Sequence, residues 1–167
     1  MEMRDVYRRD GAFTGMRIEK HAKMEKGWYL LHAIVILKTP EGGYIMQQRS
    51  LKAKHSPGRW DVTGGGVTAG ETSAHAAARE AQEELGVEVD PGSLRHMLRE
   101  ITEWGDGYGM ICDTYAVRAE VPPNGFQIAE REVNDVKVVD FDTFLSTVTY
   151  NKTEAFREML MRVEREI

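Results

Sequence analysis

Residues 65–87 of the chain read GGVTAGETSAHAAAREAQEELGV, and the prediction of the fold starts from this stretch. When its helical part is placed at 100° per residue, Glu80, Glu83 and Glu84 fall within a sector of roughly 100°. An adjoining sector carries small apolar side chains and one leucine: Ala74, Ala77, Ala78, Ala81 and Leu85. The pattern predicts a helix that packs on a sheet through this stripe and presents three carboxylates along one edge.

The ends of this helix are also marked in the sequence. Thr72 or Ser73 can accept hydrogen bonds from the first free backbone N–H groups. Gly86 stands where a left-handed residue commonly ends a helix. We therefore predict a helix from Thr72 to Leu85.

Three clustered carboxylates repel one another, and a divalent cation removes that repulsion. Mg²⁺ prefers carboxylate oxygen and keeps water and substrate phosphate among its ligands. Arg79 lies one turn before Glu83 and can pair with it, and Glu71 can hold Arg79. The glycines before the helix allow the backbone to approach an ion or a phosphate. The alternative is that Glu80, Glu83 and Glu84 form only a solvated acidic face.

The spacing of the fixed residues resembles the signature of the Nudix family. The matching positions are Gly65, Glu71, Arg79, Glu80, Glu83, Glu84 and Gly86, followed by Val87. At average residue usage, chance gives such a match with a probability on the order of 10⁻⁸ per starting position. Ala81 stands where a larger aliphatic residue is most usual, but it stays apolar and can pack.

The resemblance implies an α/β (α+β) Nudix fold, with a mixed β-sheet sandwiched between α-helices. We expect one Nudix hydrolase domain over 1–167, with an N-terminal hairpin (1–27) as a candidate extension. The implied metal ligands for Mg²⁺ or Mn²⁺ are the Gly65 carbonyl, Glu80, Glu83 and Glu84. The implied catalytic residues are Glu83, Glu84, Arg79 and Glu71. The family reaction is hydrolysis of a nucleoside diphosphate linked to another group.

A looser resemblance extends beyond this signature. In the order of its segments the chain is similar to the branch related to isopentenyl diphosphate isomerase. These segments are a hairpin, a strand from Trp28 to Leu37, residues 46–50 and residues 57–61. Where the isomerase has its cysteine, this chain has Gly64, Gly65 and Gly66, and residues 108–112 offer no glutamate. These departures favour hydrolysis over isomerisation. An isomerase and a non-catalytic Nudix-fold binding module remain the alternatives, although such a module would be expected to have lost signature glutamates.

The rest of the chain reads as strands and short helices. Predicted strands cover 4–7 and 13–18 around Asp10-Gly11, then 28–38, 44–49, 61–63, 94–103, 110–119 and 136–139. The extended segment 61–63 runs into the glycines 64–66. A glycine-rich loop is predicted at 104–109, and two further helices at 141–148 and 153–166. Helices interspersed among strands predict a sheet with helices on its faces.

Several residues outside the signature are candidates for the site. The base that activates water is Glu83, Glu84 or one of four later acids, Glu103, Asp106, Glu130 and Glu132. Arg49 and Arg59 flank a basic loop and are the candidates for substrate phosphate. His32 is expected in the core, and Trp104 and Tyr108 fit either stacking or packing roles.

Composition limits the partners and the compartment. The chain has 167 residues and a net charge of −5, which argues against a nucleic-acid-binding domain and leaves a small-molecule diphosphate as the expected partner. The single cysteine, Cys112, cannot form an internal disulfide, so we expect a buried thiol and a cytoplasmic protein. No secretion signal or membrane span is expected, and a homodimer is compatible with the sequence.

Overall fold

The computed structural model describes residues 1–148 and 153–167. The strands are β1 Met3–Tyr7, β2 Phe13–Glu19, β3 Tyr29–Lys38, β4 Tyr44–Arg49, β5 Trp60–Asp61, β6 Thr63–Gly66, β7 Arg95–Trp104, β8 Tyr108–Arg118 and β9 Val133–Val139. The helices are α1 Ser73–Leu85, α2 Phe141–Thr147 and α3 Glu154–Glu166. No helix among the described residues combines the length and the apolar character needed to cross a membrane.

The sheet is organised around β3. Along one edge, β3 runs parallel to β8 over its whole length. Three strands pair with successive parts of the opposite edge of β3. β1 pairs with Tyr29 and Leu30, β6 with residues 32–35, and β4 with Lys38. The other strand pairs are antiparallel, so the predicted mixed sheet is confirmed.

The sheet divides where β3 and β4 separate. β5 pairs with β4, whereas β6, which follows after Val62, pairs with β3. β3 with β6 therefore forms one branch, and β4 with β5 and β9 forms the other. We call the opening between these branches the fork.

Helices cover both faces of the sheet, because successive side chains of a strand point to opposite sides. On one face Leu31, Ala33 and Val35 pack with α1. On the other face Ile34 and Ile36 lie in a second cluster with α2 and α3, through Phe144, Phe156, Met159, Leu160 and Val163. The long apolar run of β3 is thus explained by burial on two sides, and the expected sandwich is confirmed.

Helix α1 begins and ends as the sequence predicts. The hydroxyl of Thr72 accepts a hydrogen bond from the His75 backbone N–H, and Gly86 has a φ of 71°. Of the predicted stripe, Ala77, Ala81 and Leu85 are fully buried. Ala76 is equally buried although the helical wheel omitted it. Its small side chain lets α1 approach the sheet closely.

The N-terminal hairpin is confirmed, and it belongs to the same sheet. β1 and β2 pair from Met3 with Glu19 to Tyr7 with Phe13. Gly11, at the turn, has a φ of +84°, which glycine adopts without strain. Because β1 also pairs with β3, the hairpin lies beside the start of the central strand.

A buried polar network joins α1 to β7 and β8. Asp113 is 1% exposed and accepts hydrogen bonds from Ser73 Oγ at 2.7 Å and from Arg99 at 2.7 and 2.8 Å. His96 Nε2 lies 3.0 Å from the same carboxylate. Burial by itself would raise the pKa of Asp113, but the bonds from Arg99, Ser73 and His96 hold it below its usual range.

We expect Asp113→Asn to lower the free energy of unfolding by about 2–3 kcal/mol at pH 7, because it breaks an ion pair whose carboxylate is buried. The loss is smaller than for a fully buried pair, since the Arg99 side chain is half-exposed. The stabilisation from a lowered pKa is present above the unfolded value of about 3.9 and is lost as the pH falls through the folded value. The difference should therefore shrink at about pH 3. Urea unfolding at the two pH values measures both effects. Asp135→Asn, on exposed β9, is the control, and an equal loss in both variants would contradict the assignment.

Three predicted boundaries are wrong. The strand predicted over 61–63 stops before the glycines 64–66, but these form most of β6, because β3 offers them a strand edge. The loop expected at 104–109 is limited to 105–107, since Trp104 pairs with Tyr108 at the end of the β7–β8 ladder. β9 also begins earlier than predicted, at Val133.

Candidate active site

A cavity of about 620 Å³ lies at the fork. It is walled by β6 and α1 on one side, and by the end of β4, the basic loop and the segment before β9 on the other. The start of β1 and the end of β2 close it from the hairpin side. Its charged and polar lining residues are Glu2, Arg4, Lys20, His32, Arg49, Lys54, His55, Thr68, Arg79, Glu80, Glu83, Glu84, Arg131 and Glu132.

Three carboxylates come together in this cavity. One oxygen each from Glu80, Glu84 and Glu132 can be chosen so that all lie within 4.8 Å of one another. Glu80 and Glu84 are 8% and 6% exposed. We call these three residues the carboxylate cluster.

Two acids of the cluster have raised pKa values. Burial, followed by the nearby charge of Glu80, raises the pKa of Glu84 to about 8, against the hydrogen bonds from Gln47 and the Gly64 N–H. Burial also raises the pKa of Glu80, despite its bond to Arg79. A bound divalent cation would offset the burial that raises the pKa of these two acids, because it favours their charged forms.

Arg79 joins the acids of the signature. Its guanidinium donates to Glu71 at 3.0 and 3.2 Å, to Glu80 at 2.8 Å and to Glu83 at 3.0 Å, and also to the Gly66 carbonyl at 3.2 Å. The predicted pairs of Arg79 with Glu83 and Glu71 are confirmed. Burial would raise the pKa of Glu71, but the bonds from Arg79 and Thr68 lower it. Arg79 therefore fixes the positions of three carboxylates with one side chain.

Gly65 lets Glu80 reach β6. A Cβ atom built on Gly65 would lie 2.1 Å from Glu80 Oε1, which is far inside van der Waals contact. Any larger residue at this position would displace the carboxylate. The glycine of the signature is thus explained here by close approach of a side chain.

The structure does not place all the predicted metal ligands in one group. Glu83 lines the cavity, but its side chain is 58% exposed and pairs with Arg79, whereas Glu132 joins Glu80 and Glu84. Of the four later acids named from the sequence, all of them described, only Glu132 lines the cavity. Glu103 instead bonds to Tyr29 and Arg9. The position of Glu132, just before β9, was its only signal in the sequence.

The two arginines proposed for phosphate binding differ in position. Arg49 ends β4 and lines the cavity, and its Nε donates to the His55 carbonyl at 3.2 Å. Arg59 is outside the cavity lining and contacts Ser56 Oγ at 3.4 Å. The structure therefore favours Arg49 over Arg59.

Other lining residues were missed or assigned to the core. His32 was expected in the core, but it lines the cavity from β3. Burial, with the charges of Arg4 and Arg49, lowers the pKa of His32 to about 4, so its ring is neutral at pH 7. Gln47, an ordinary strand residue by sequence, donates to Glu84 Oε2 at 2.7 Å. Neither Trp104 nor Tyr108 lines the cavity, and Cys112 is buried as predicted.

Comparison with known protein families gives a match over most of the chain. Residues 28–162 match the model of the NUDIX domain. β1 and β2 precede the matched range, although they belong to the same sheet.

Individual relatives agree with this match. Nudix hydrolase 3 of Arabidopsis thaliana is 27% identical over 84% of this chain, which spans only 19% of that protein's length. The uncharacterized Nudix hydrolase lmo0368 of Listeria monocytogenes is 28% identical, with 83% of this chain and 80% of that protein covered. The structure of DR0079 from Deinococcus radiodurans superposes with a TM-score of 0.68 at 20% identity, covering 97% of this chain and 99% of that one.

Proposed function

The chain belongs to the Nudix family, and from this premise we propose that it is a metal-dependent hydrolase that cleaves the phosphoanhydride bond of a small diphosphate. The substrate class is a nucleoside diphosphate linked to another group, or a related small diphosphate. The single observation that carries the proposal is the carboxylate cluster inside a cavity that also holds Arg49.

The residues present fit a divalent cation. Glu80, Glu84 and Glu132 offer hard oxygen donors close together, which suits Mg²⁺ or Mn²⁺. The carbonyl of Gly65, which lies against Glu80, is a further ligand implied by the family resemblance. Burial and the nearby charge of Glu80 raise the pKa of Glu84, which supports the proposal that a bound cation supplies compensating charge there. When bound, the cation polarises a phosphoryl oxygen and makes water more acidic.

The remaining acidic residues are assigned to positioning and proton transfer. Glu83 lies outside the cluster, and we assign it the role of the base that accepts a proton from the attacking water. Arg79 holds Glu83 Oε2 at 3.0 Å and Glu80 Oε1 at 2.8 Å, so it sets the distance between the base and the cluster. Glu71 holds the other side of the guanidinium and keeps it in place.

Substrate phosphate is assigned to the basic side of the cavity. Arg49 and Lys54 lie on the wall of the cavity that also carries Glu132, across from Glu80 and Glu84 of α1. A guanidinium forms charge-assisted hydrogen bonds with phosphate oxygens, and these would hold the diphosphate between Arg49 and the cation. Cys112 is the single cysteine of the sequence, which fits the proposal that the reaction occurs in the reducing cytoplasm.

The proposal predicts cleavage of a phosphoanhydride bond that requires a divalent cation. Purified protein is incubated with a panel of diphosphates, namely ADP-ribose, dinucleotide polyphosphates, nucleoside diphosphates and alkyl diphosphates, with Mg²⁺, with Mn²⁺ or with EDTA. We expect cleavage with either metal and none with EDTA, measured by product masses for every compound and also by inorganic phosphate for the nucleoside diphosphates and alkyl diphosphates. Conversion of a diphosphate to an isomer of unchanged mass, without cleavage products, would contradict hydrolysis.

A matched pair of variants tests the role of Glu132. Glu132→Gln should lower kcat/KM by at least about 10- to 100-fold, because that is the cost of losing a residue that only supports the metal ligands, and Glu132 is proposed as a ligand itself. Glu130→Gln makes the same charge change outside the cavity and should keep the original rate. Equal rates for both variants would remove Glu132 from the site.

A further inference from the structure

A second cavity, of about 350 Å³, opens beside the first. The two cavities share Arg4, Lys20, His32 and Gly66 at their junction. Beyond the junction the walls are mostly apolar, formed by Ile18, Ala22, Met24, Leu30, Leu31 and Met110. We call this second cavity the alcove. Glu19 and His21 also line it, and both are exposed at the end of β2 and the turn that follows.

Arg4 is the most unusual residue at the junction. It is 8% exposed, and its Nη2 pairs with Glu2 at 2.5 Å. Its Nη1 is buried and has no hydrogen-bond acceptor among residues 1–148 and 153–167. A buried cationic N–H without an acceptor is costly, so this atom is suited to an anionic oxygen supplied by a ligand.

The backbone of β6 makes room for this guanidinium. A Cβ on Gly66 would lie 2.4 Å from Arg4 Nη1, so the guanidinium sits where a larger residue would place its side chain. At the preceding glycine, Gly65, the carboxylate of Glu80 takes up the space that a Cβ would need. Because Cβ atoms of adjacent strand residues point to opposite sides, Glu80 and Arg4 approach β6 from its two faces. Both side chains line the first cavity, so one ligand in that cavity can contact the carboxylate cluster and Arg4.

Lys20 supplies a second cation at the same place. Its Nζ donates to Glu2 Oε2 at 2.8 Å, so one carboxylate is shared between Arg4 and Lys20. The three residues together carry one excess positive charge. Arg4 and Lys20 both come from the hairpin, which precedes the range that matches the family model.

We propose that Arg4 and Lys20 bind the phosphate of the substrate that lies farther from the carboxylate cluster, and that the alcove binds a compact apolar group attached to that phosphate. This inference rests on the proposed function and narrows its substrate class to diphosphates with an apolar substituent. Apolar walls favour a group that gains by leaving water, whereas a nucleobase would bring polar edges that Leu30, Leu31 and Met110 cannot satisfy.

The chain-length dependence of binding tests the alcove. The probes are two non-hydrolysable esters of methylenediphosphonate, methyl and isopentyl, together with α,β-methylene-ADP, measured by calorimetry with Mg²⁺. We expect the isopentyl ester to bind about 10-fold or more tightly than the methyl ester, because each additional methylene leaves water. Ala22→Trp should fill the alcove and remove this difference. Ala12→Trp, which adds the same ring at the other end of the hairpin, should preserve it.

Arg4 is tested by a charge-matched pair. Arg4→Met should weaken both esters by about 10- to 100-fold, the range of a charge-assisted hydrogen bond. Arg8→Met removes the same charge from an exposed position of the hairpin and should leave both affinities unchanged. If Arg4→Met does not fold, the comparison of the two tryptophan variants still decides the role of the alcove.

The outcomes separate this inference from the proposed function. Equal binding of the two esters would overturn the apolar substrate class and leave metal-dependent cleavage standing. The same conclusion would follow if α,β-methylene-ADP bound more tightly than either ester and Ala22→Trp abolished its binding. Chain-length dependence in a protein that cleaves no diphosphate on the panel would support the alcove and overturn hydrolysis.

Discussion

Replacement of Glu84 by glutamine is expected to reduce kcat/KM by about 1000-fold, at the upper end of the cost of removing one electrostatic group from an active site. Glu84 is the most deeply buried acid of the carboxylate cluster. The glutamine has nearly the same shape, and its carbonyl can still accept the bond from Gln47 Nε2. It cannot supply the negative charge that the cation requires. Steady-state kinetics with saturating Mg²⁺ measure the effect.

The same variant should fold at least as well as the original protein in the absence of metal. Burial and the charge of Glu80 both disfavour a charged Glu84, so a neutral side chain removes a source of strain. Melting in EDTA should give a Tm that is unchanged or higher. Glu88→Gln, an exposed acid just after α1, is the control and should keep its activity. A rate for Glu84→Gln within a few-fold of the original would exclude Glu84 from the metal site.

Gly65→Ala is expected to reduce kcat/KM by about 100-fold, a loss that displacement of an active-site group by about 1 Å can cause. The new methyl group would lie 2.1 Å from Oε1 and 2.4 Å from Cδ of Glu80, so the carboxylate must move. The backbone at Gly65 does not have a positive φ, so alanine is tolerated there apart from this contact. The affinity for Mn²⁺, measured by calorimetry, should fall together with the rate.

Gly105→Ala provides the control for this substitution. Gly105 also lacks a positive φ, and a Cβ there would meet no atom within 4 Å. We expect it to keep both its activity and its metal affinity. If Gly65→Ala instead retained full activity, Glu80 would have to tolerate displacement, and its place in the cluster would be wrong.

Much of the local structure could be predicted because it depends on neighbouring residues in the chain. The bounds of α1 follow from two residues at its ends. The Thr72 hydroxyl accepts a hydrogen bond from a backbone N–H of the first turn, and Gly86 adopts the left-handed conformation that ends the helix. The pairs of Arg79 with Glu71 and Glu83 follow from helical spacing and from the loop just before the helix. The hairpin follows from the turn at Gly11. In each case the partners are close in sequence, so periodicity and turn chemistry suffice.

The site as a whole could be predicted only in part. Its signature glutamates are recognisable in the sequence, but the third member of the cluster, Glu132, comes from a segment about fifty residues away. Nothing in the local sequence distinguishes it from Glu130. The difference arises because β9 pairs with β4 and thereby brings the residue before Val133 to the fork.

The sequence by itself determined the helix with its caps, the spacing of the acids and the family to which they point, because these depend on short-range geometry. The tertiary structure decided that glycines 64–66 form a strand, because β3 offers them an unpaired edge. It also decided which acids meet at the fork, and that Arg4 is buried against Gly66 at the mouth of an apolar alcove. These contacts join segments far apart in the chain, and they exist only after the sheet has closed around β3.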